Sequence, residues 1–344
     1  MKGEVSFGVE LRILADTLRA KTAMNSFTIF RNLALFVVML PFSASAQATK
    51  SVMVVEAYSG KILIASNSSE KRPIASLTKI ATGAVTVDWA TATGADLGTT
   101  LITAPQTVAL VGGPNPMNLQ PGDQLTLRDA LYSALLGSDN LAALAIADHV
   151  GREILTRRGG SGDPVAVFVG EMNQLAKALS MKSTRFTNPH GLDRPGTKAY
   201  STAADVARLS IYAMRRNAFN FTVRQKERQV SVTGPAGKRS YKVKNSNELV
   251  GEPGILGVKT GTTNAAGPCL SVCMDREPLV RPKPDGSKGA TPRRIIAVVL
   301  NSPDRFNDAR ALIRHGWEIY DPWLESGALV QDREREILKV TDPQ

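Results

Sequence analysis

In SVMVVEAYSGKILIAS, residues 51–66, two runs of β-type residues flank the polar turn YSGK, which predicts a hairpin at the start of the folded chain. Pro73 follows. Leu77, Ile80 and Ala81 then recur at helical spacing within SLTKIATGAVTVDWA, so a helix is expected to open at Pro73 with Ser76 in its first turn. A looped stretch with GGPNP and QPGD leads into TLRDALYSALLGSDNLAALAIADHV, which reads as two helices joined at Gly137 to Asn140. That join is polar between two apolar faces. Residues 164–180 and 202–215 predict two more amphipathic helices, separated by the loop NPHGLDRPGTKAYS.

Strand character returns near residue 228. RQVSVTGPAGKRSYKVKN reads as a hairpin around GPAG, and GILGVKTGTT, CLSVCM and RIIAVVLNS follow as strands. Between Asp275 and Arg294 the chain is rich in Pro and Gly and carries Arg276, Arg281, Lys283, Lys288, Arg293 and Arg294, which predicts a long mobile surface loop. FNDARALIRHGWEIY is the last helix. The fold class expected is α/β (α+β): an antiparallel sheet built from both ends of the chain, with an all-helical lobe inserted over about 82–225 and a cleft between the two. The folded domain is expected over 47–320, with a tail at 321–344.

At 344 residues and 43% hydrophobic content the chain is long enough for a sizeable core. The N-terminus changes the picture: LALFVVMLPF, preceded by Arg31 and followed by SASAQ, reads as a secretory signal peptide, with Ala44 and Ala46 as the small residues before a cleavage at Gln47. Ten apolar residues fall short of the roughly 20 that a spanning helix needs. Residues 1–46 are therefore read as an extension plus leader, translation beginning at Met1 or Met24. The expected product is exported to the periplasm or cell envelope without a transmembrane anchor. Cleavage would remove five basic and three acidic residues and lower the net charge from +11 to +9. A basic exported protein suits an anionic envelope polymer and excludes nucleic acid as its partner. Cys269 and Cys273 lie four residues apart on an expected strand, about 13 Å, beyond the reach of a disulfide, so both are expected as buried free thiols. His149, His190 and His315 are scattered singly, and no metal or cofactor is expected.

Ser76 and Lys79 in IASLTK stand at i and i+3, where a lysine amine on the same helical face can take the serine proton. Ser68 and Lys71 repeat the spacing, but in a polar loop before Pro73 where solvent keeps the lysine charged. Two later segments separate the pairs: SDN at Ser138 to Asn140, in the join between helices, and KTG at Lys259 to Gly261, on a late strand. S-x-x-K, S-D-N and K-T-G in this order resemble the signature of penicillin-binding proteins and class A β-lactamases. RPIASLTK, NPHGL, YSTAADVARL, NSNELV and VKTGTTNAAGPCL resemble segments of the low-molecular-mass penicillin-binding proteins, serine D-alanyl-D-alanine carboxypeptidases and endopeptidases, over residues 50 to about 320.

That resemblance implies the penicillin-binding, β-lactamase-like fold with a five-stranded antiparallel sheet. It implies Ser76 as the nucleophile on a D-Ala-D-Ala amide of peptidoglycan, Lys79 as proton acceptor and Ser138 as relay to the leaving amine. Asn140 would hold the substrate amide or Lys79, and Lys259 and Thr260 the terminal carboxylate. Gly261 would allow close approach, and the N–H groups of Ser76 and Thr262 would form the oxyanion hole. β-Lactams would acylate Ser76. His190 reads as a turn residue without a catalytic part. A β-lactamase would need a second carboxylate base, and GEMNQLAKAL offers Glu171 on a helix without the matching loop. A penicillin-sensing domain would need membrane segments, and the only apolar run is the leader. The short segment after Tyr320 suits the endopeptidase-like branch.

Overall fold

The two runs of 51–66 form the expected hairpin, β1 (Ser51–Glu56) and β2 (Ile62–Ser66), with Gly60 in the left-handed region at φ 77°. Its partners come from the other end of the chain: β7 (Ile255–Thr263), β8 (Gly267–Pro282) and β9 (Lys288–Leu300). The computed structural model describes residues 50–282 and 284–327, and in it these strands make one antiparallel sheet in the order β2-β1-β9-β8-β7. The expected leader and its cleavage site lie outside the described residues.

Both faces of this sheet are covered, which is why its strands read as continuous apolar runs. With a period of two, Met53, Val55, Cys269, Cys273, Ile296 and Val298 face the main core, while Val52, Val54, Leu270, Val272, Ile295 and Ala297 face the C-terminal helix α7 (Arg305–Glu325). The helix seals its face with Ile313, Trp317 and Tyr320 and runs five residues past Tyr320, into the segment expected as tail. The two cysteines are buried and unpaired, as their spacing on β8 required.

On the main-core side lie α1 (Thr78–Thr93), α2 (Leu127–Leu136), α3 (Asn140–Arg157), α4 (Pro164–Ala178), α5 (Ala203–Met214) and α6 (Asn217–Val223). Thr126, Asp139, Asp163 and Thr202 cap α2 to α5 through side-chain oxygens that accept first-turn N–H groups. No helix among the described residues is long and apolar enough to cross a membrane.

Three expectations need correction. The lobe is not all helical: β3 (Leu101–Thr103), β4 (Gln124–Thr126), β5 (Glu227–Gly234) and β6 (Gly237–Lys244) form a second sheet. The hairpin around GPAG therefore joins this lobe. It docks on β4 through Gln124 opposite Thr233, and three-residue strands carry no periodicity from which that pairing could be read. The segment 275–294 is a continuation of β8 and β9 as a two-stranded ribbon, paired from Asp275–Arg294 to Pro282–Lys288, with a register shift that takes up Glu277 and Pro278. Its exposed residues lack the apolar alternation that marks a half-buried strand, so composition suggested a loop. Pro73 does not open the helix. A 3₁₀ turn over Ala75–Leu77 precedes α1, and Ser76 stands in that turn.

Candidate active site

The turn carrying Ser76 is held by backbone from both sides. Ala75 has φ +47° and Leu77 N–H donates to the Ile74 carbonyl at 3.1 Å. At Gly261 on β7 an added Cβ would come within 2.9 Å of Ser76 N and 3.0 Å of the Ile74 carbonyl, so only glycine lets the strand lie directly against the turn. Gly191 fits as tightly from the loop side. Its φ is +85°, and a Cβ there would lie 2.0 Å from the Ala75 carbonyl oxygen.

Lys79, one helical turn on, is fully buried. Its Nζ lies 2.9 Å from Ser76 Oγ, 2.7 Å from Asn140 Oδ1 and 2.8 Å from the His190 carbonyl oxygen. Asn140 is oriented by its Nδ2, which donates to the Gly112 carbonyl at 2.8 Å and leaves Oδ1 for the lysine. Burial, reinforced by the charge of Lys259 and opposed by Asp139, holds the Lys79 amine well below its ordinary pKa. A neutral amine has two N–H donors and one lone pair. Asn140 Oδ1 and the His190 carbonyl can only accept, so they take both donors, and the lone pair is left for the Ser76 hydroxyl.

The SDN segment is positioned by its middle residue. Asp139, buried, accepts from Leu141 N and Ala142 N at 2.9 Å each and from Ser133 Oγ at 2.7 Å. That cap places Asn140 as the first residue of α3 and leaves Ser138, half-buried with φ +61°, in the left-handed region.

Lys259 is also fully buried. Its Nζ donates to the Thr260 carbonyl at 3.1 Å, and burial with the nearby Arg305 charge pulls its pKa down to about 7. Thr260 Oγ1 and Ser246 Oγ are 2.6 Å apart. Arg305 Nη1, from the start of α7, donates to the Gly261 carbonyl at 3.0 Å and to Thr262 Oγ1 at 2.8 Å. Lys259 and Arg305 thus bring two basic groups close together at this end of β7, and such a site favours a substrate anion.

Three contributors carried no assigned part in the sequence reading. Arg305 stands in SPDRF, whose neighbours give no cue. Ser246 lies in NSNELV without a signal of its own. His190 acts through its backbone carbonyl: Asn188 Oδ1 accepts from Gly191 N at 2.6 Å and His190 N at 3.2 Å, an Asx turn that aims that carbonyl at Lys79. The ring is buried and neutral, its pKa lowered to about 3 chiefly by burial, and Nδ1 accepts from Leu192 N at 3.2 Å. Asx turns are recognisable in sequence, but their targets are not.

The rival pair stays apart from this cluster. Lys71 is exposed, with Nζ 5.0 Å above the Tyr200 ring, while Ser68 is buried under the first turn of α5, its carbonyl accepting from Ala204 N at 3.0 Å. Glu171 on α4 pairs with Arg158 at the C-terminal end of α3 at 2.9 Å. The length of α3, 18 residues or about 27 Å, lies between that pair and Asn140.

Residues 40–279 match the family described as D-alanyl-D-alanine carboxypeptidase. The chain is 29% identical to the D-alanyl-D-alanine carboxypeptidase DacC of Escherichia coli over 317 residues, covering 89% of this chain and 70% of that protein. It is 31% identical to a D-alanyl-D-alanine endopeptidase of Pseudomonas aeruginosa over 284 residues, covering 81% and 78% respectively. The crystal structure of the Streptomyces K15 DD-transpeptidase superposes with a TM-score of 0.63 at 27% identity, covering 78% of this chain and 96% of that one.

Proposed function

The chain belongs to the D-alanyl-D-alanine carboxypeptidase family, and from that premise we propose that it is a serine D,D-peptidase acting on D-Ala-D-Ala peptides of peptidoglycan through an acyl-enzyme at Ser76. The observation that carries this reading is the Lys79 amine, buried, held by two acceptors and 2.9 Å from the Ser76 hydroxyl.

In the proposed reaction, Ser76 Oγ bonds to the D-alanyl carbonyl carbon as its proton passes to Lys79 Nζ. The carbonyl oxygen becomes an oxyanion facing the N–H groups of Ser76 and Thr262. Collapse of the adduct breaks the C–N bond, and the departing amine takes the proton from Lys79 by way of the Ser138 hydroxyl. Water then attacks the ester, its proton passing to Lys79 and from there to Ser76 Oγ as the C–O bond breaks, which leaves a peptide carboxylate and free Ser76. Lys259, Thr260 and Arg305 receive the carboxylate of the departing residue. Asn140 and the His190 carbonyl hold Lys79 in line throughout.

β-Lactams, which present a similar amide beside a carboxylate, are proposed as covalent inhibitors of the same serine. Slow release of the penicilloyl ester is expected, because Glu171 is engaged with Arg158 away from the nucleophile. Export to the periplasm or cell envelope is proposed on the leader-like N-terminal run. Fluorescent penicillin should label the purified protein and Ser68→Ala, and fail to label Ser76→Ala. Labelling of Ser76→Ala would overturn the assignment. A pentapeptide monomer and a cross-linked dimer, followed in parallel, separate carboxypeptidase from endopeptidase action.

A further inference from the structure

Where β8 leaves β7 at Met274 and β9 leaves β1 at Ile295, the two strands continue alone as the 275–294 ribbon, with both edges free among the described residues. A two-stranded ribbon is marginal unless something packs on it, and this one is pinned at its root. Leu279 packs among the residues sealed by α7, and Arg276 lies 4.2 Å over the Trp317 ring and pairs with Asp321 at 2.9 Å. Arg294 holds Asp275 with two bonds, at 2.6 and 2.8 Å. Beside that root lies a pocket of about 490 Å³, walled by Tyr58 from the turn after β1, by Pro253 and Gly254 before β7, and by Pro278, Pro292 and Arg293 of the ribbon. Glu277 adds an exposed carboxylate to the same wall. Farther out, Arg281 and Lys288 are exposed near the tip. None of Arg281, Lys288 and Arg293 forms an ion pair with a described residue. From Glu277 to Arg293 the sequence holds four basic residues against two acidic ones, so the ribbon adds to the positive charge of a chain already at +11.

The chemistry of this surface selects its occupant. Pro278, Pro282 and Pro292, with the cations along the free edges, block the addition of a further strand. Residues 275–294 contain no aromatic residue, so the ribbon lacks the interfacial anchor of a membrane-seated segment. Tyrosine and proline surfaces beside a carboxylate and a guanidinium suit a sugar, which has an apolar ring face and hydroxyls that both donate and accept. β8 runs without a turn from Cys269, opposite Gly261, to Arg281, twelve residues or roughly 35–40 Å along the strand. A soluble five-residue peptide spans at most about 18 Å, so only a polymer reaches the ribbon and the nucleophile together. Resting on the peptidase reading above, we infer that the ribbon and its root pocket form an exosite for the glycan strand of the peptidoglycan that carries the substrate peptide. Sugar rings lie against Tyr58 and the prolines, and peptide carboxylates borne along the strand meet Arg281, Lys288 and Arg293.

The test sediments the full chain carrying Ser76→Ala, which binds without turnover, with purified insoluble peptidoglycan, and assays the active chain on a soluble pentapeptide ending in D-Ala-D-Ala. Arg281→Glu/Lys288→Glu should raise the peptidoglycan concentration for half-binding about three- to tenfold at low salt, the gap closing in high salt. Tyr58→Leu should weaken binding at either salt. Soluble-pentapeptide kcat/KM should stay within about twofold of wild type in both variants, which also shows that they fold; should Tyr58→Leu fail to fold, the charge reversal decides alone. Peptidoglycan binding untouched by the charge reversal overturns the exosite and leaves the peptidase reading intact. An equal loss on the soluble pentapeptide also overturns it, because the charges would then act on the cleft itself. Weakened binding to vesicles of anionic phospholipid, with peptidoglycan binding unchanged, would make the ribbon a membrane contact and overturn the exosite too. Wild type that binds peptidoglycan through the ribbon yet cleaves no soluble pentapeptide overturns the peptidase reading instead.

Discussion

Replacing Lys259 with Met should stabilise the fold and weaken the activity together. Lys259 is fully buried, and burial with the Arg305 charge pulls its pKa from 10.5 to about 7. Between those values the unfolded chain holds a proton that the folded chain has released. Unfolding therefore takes up a proton, and stability rises with pH by up to about 1.4 kcal/mol per unit. Below about 7 both states hold the proton, and the gap amounts to a nearly constant penalty of roughly 5 kcal/mol. Methionine fills a similar volume without charge and escapes that penalty, while loss of the bond to the Thr260 carbonyl gives back about 1 kcal/mol. A net gain of about 2–4 kcal/mol near neutral pH corresponds to a rise in Tm of roughly 5–10 °C for a domain of this size. Thermal unfolding followed by circular dichroism from pH 6 to pH 10 should show wild type gaining with pH more steeply than the variant, the two curves converging at the alkaline end. Peptide kcat/KM should fall about 10- to 100-fold as the carboxylate loses its charged partner. Parallel melting curves, or a variant that melts lower than wild type at pH 6, would refute the claim that Lys259 is held against its charge.

Gly261→Ala should push β7 off the Ser76 turn, since its Cβ would meet three backbone atoms of residues 74–77 at 2.9–3.1 Å; penicillin acylation is expected to drop at least about 100-fold, and a rate within threefold of wild type would exclude so close an approach. Asn140→Ala removes the 2.7 Å acceptor that fixes the Lys79 amine, so acylation should slow by about 10- to 100-fold with labelling stoichiometry preserved, as read by stopped-flow quenching. Because burial holds Lys79 well below the ordinary lysine pKa of 10.5, the acylation rate should not begin to fall as pH drops through 10.5, and a tenfold loss per unit setting in at that ordinary value would mean that the amine is charged in the resting site. Burial pushes Cys269 up to about 11 and Cys273 up to about 12, so a thiol reagent at pH 8 should find no reactive thiol in the native protein and two after denaturation.

Ser76 with Lys79 could be found in the sequence because the pair needs only a fixed local spacing, while SDN and KTG stood out by their resemblance to the penicillin-binding signature. A 3₁₀ turn leading into a helix still places i and i+3 side by side, so the misplaced helix start left the pair intact. The β1–β2 hairpin, the helices α2 to α5 and the last helix were equally accessible, since each buries a periodic face. The 275–294 ribbon was not, because most of its outer residues are exposed and its pairing is made by backbone groups that every sequence possesses. The same holds for β3 and β4, three residues each, whose pairing with the GPAG hairpin converts an expected all-helical lobe into a mixed one.

Local patterns therefore determined the elements that bury a periodic face and the order of the motifs that single out Ser76 as the proposed nucleophile. The tertiary structure decided what surrounds them. It supplied the His190 carbonyl that completes the Lys79 cage, Arg305 reaching back 43 residues to Thr262, and the burial that lowers both lysines. The physical reason is that spacing along a chain fixes only neighbours, whereas desolvation, the electrostatic field and backbone acceptors at a site are summed over segments that only folding brings together.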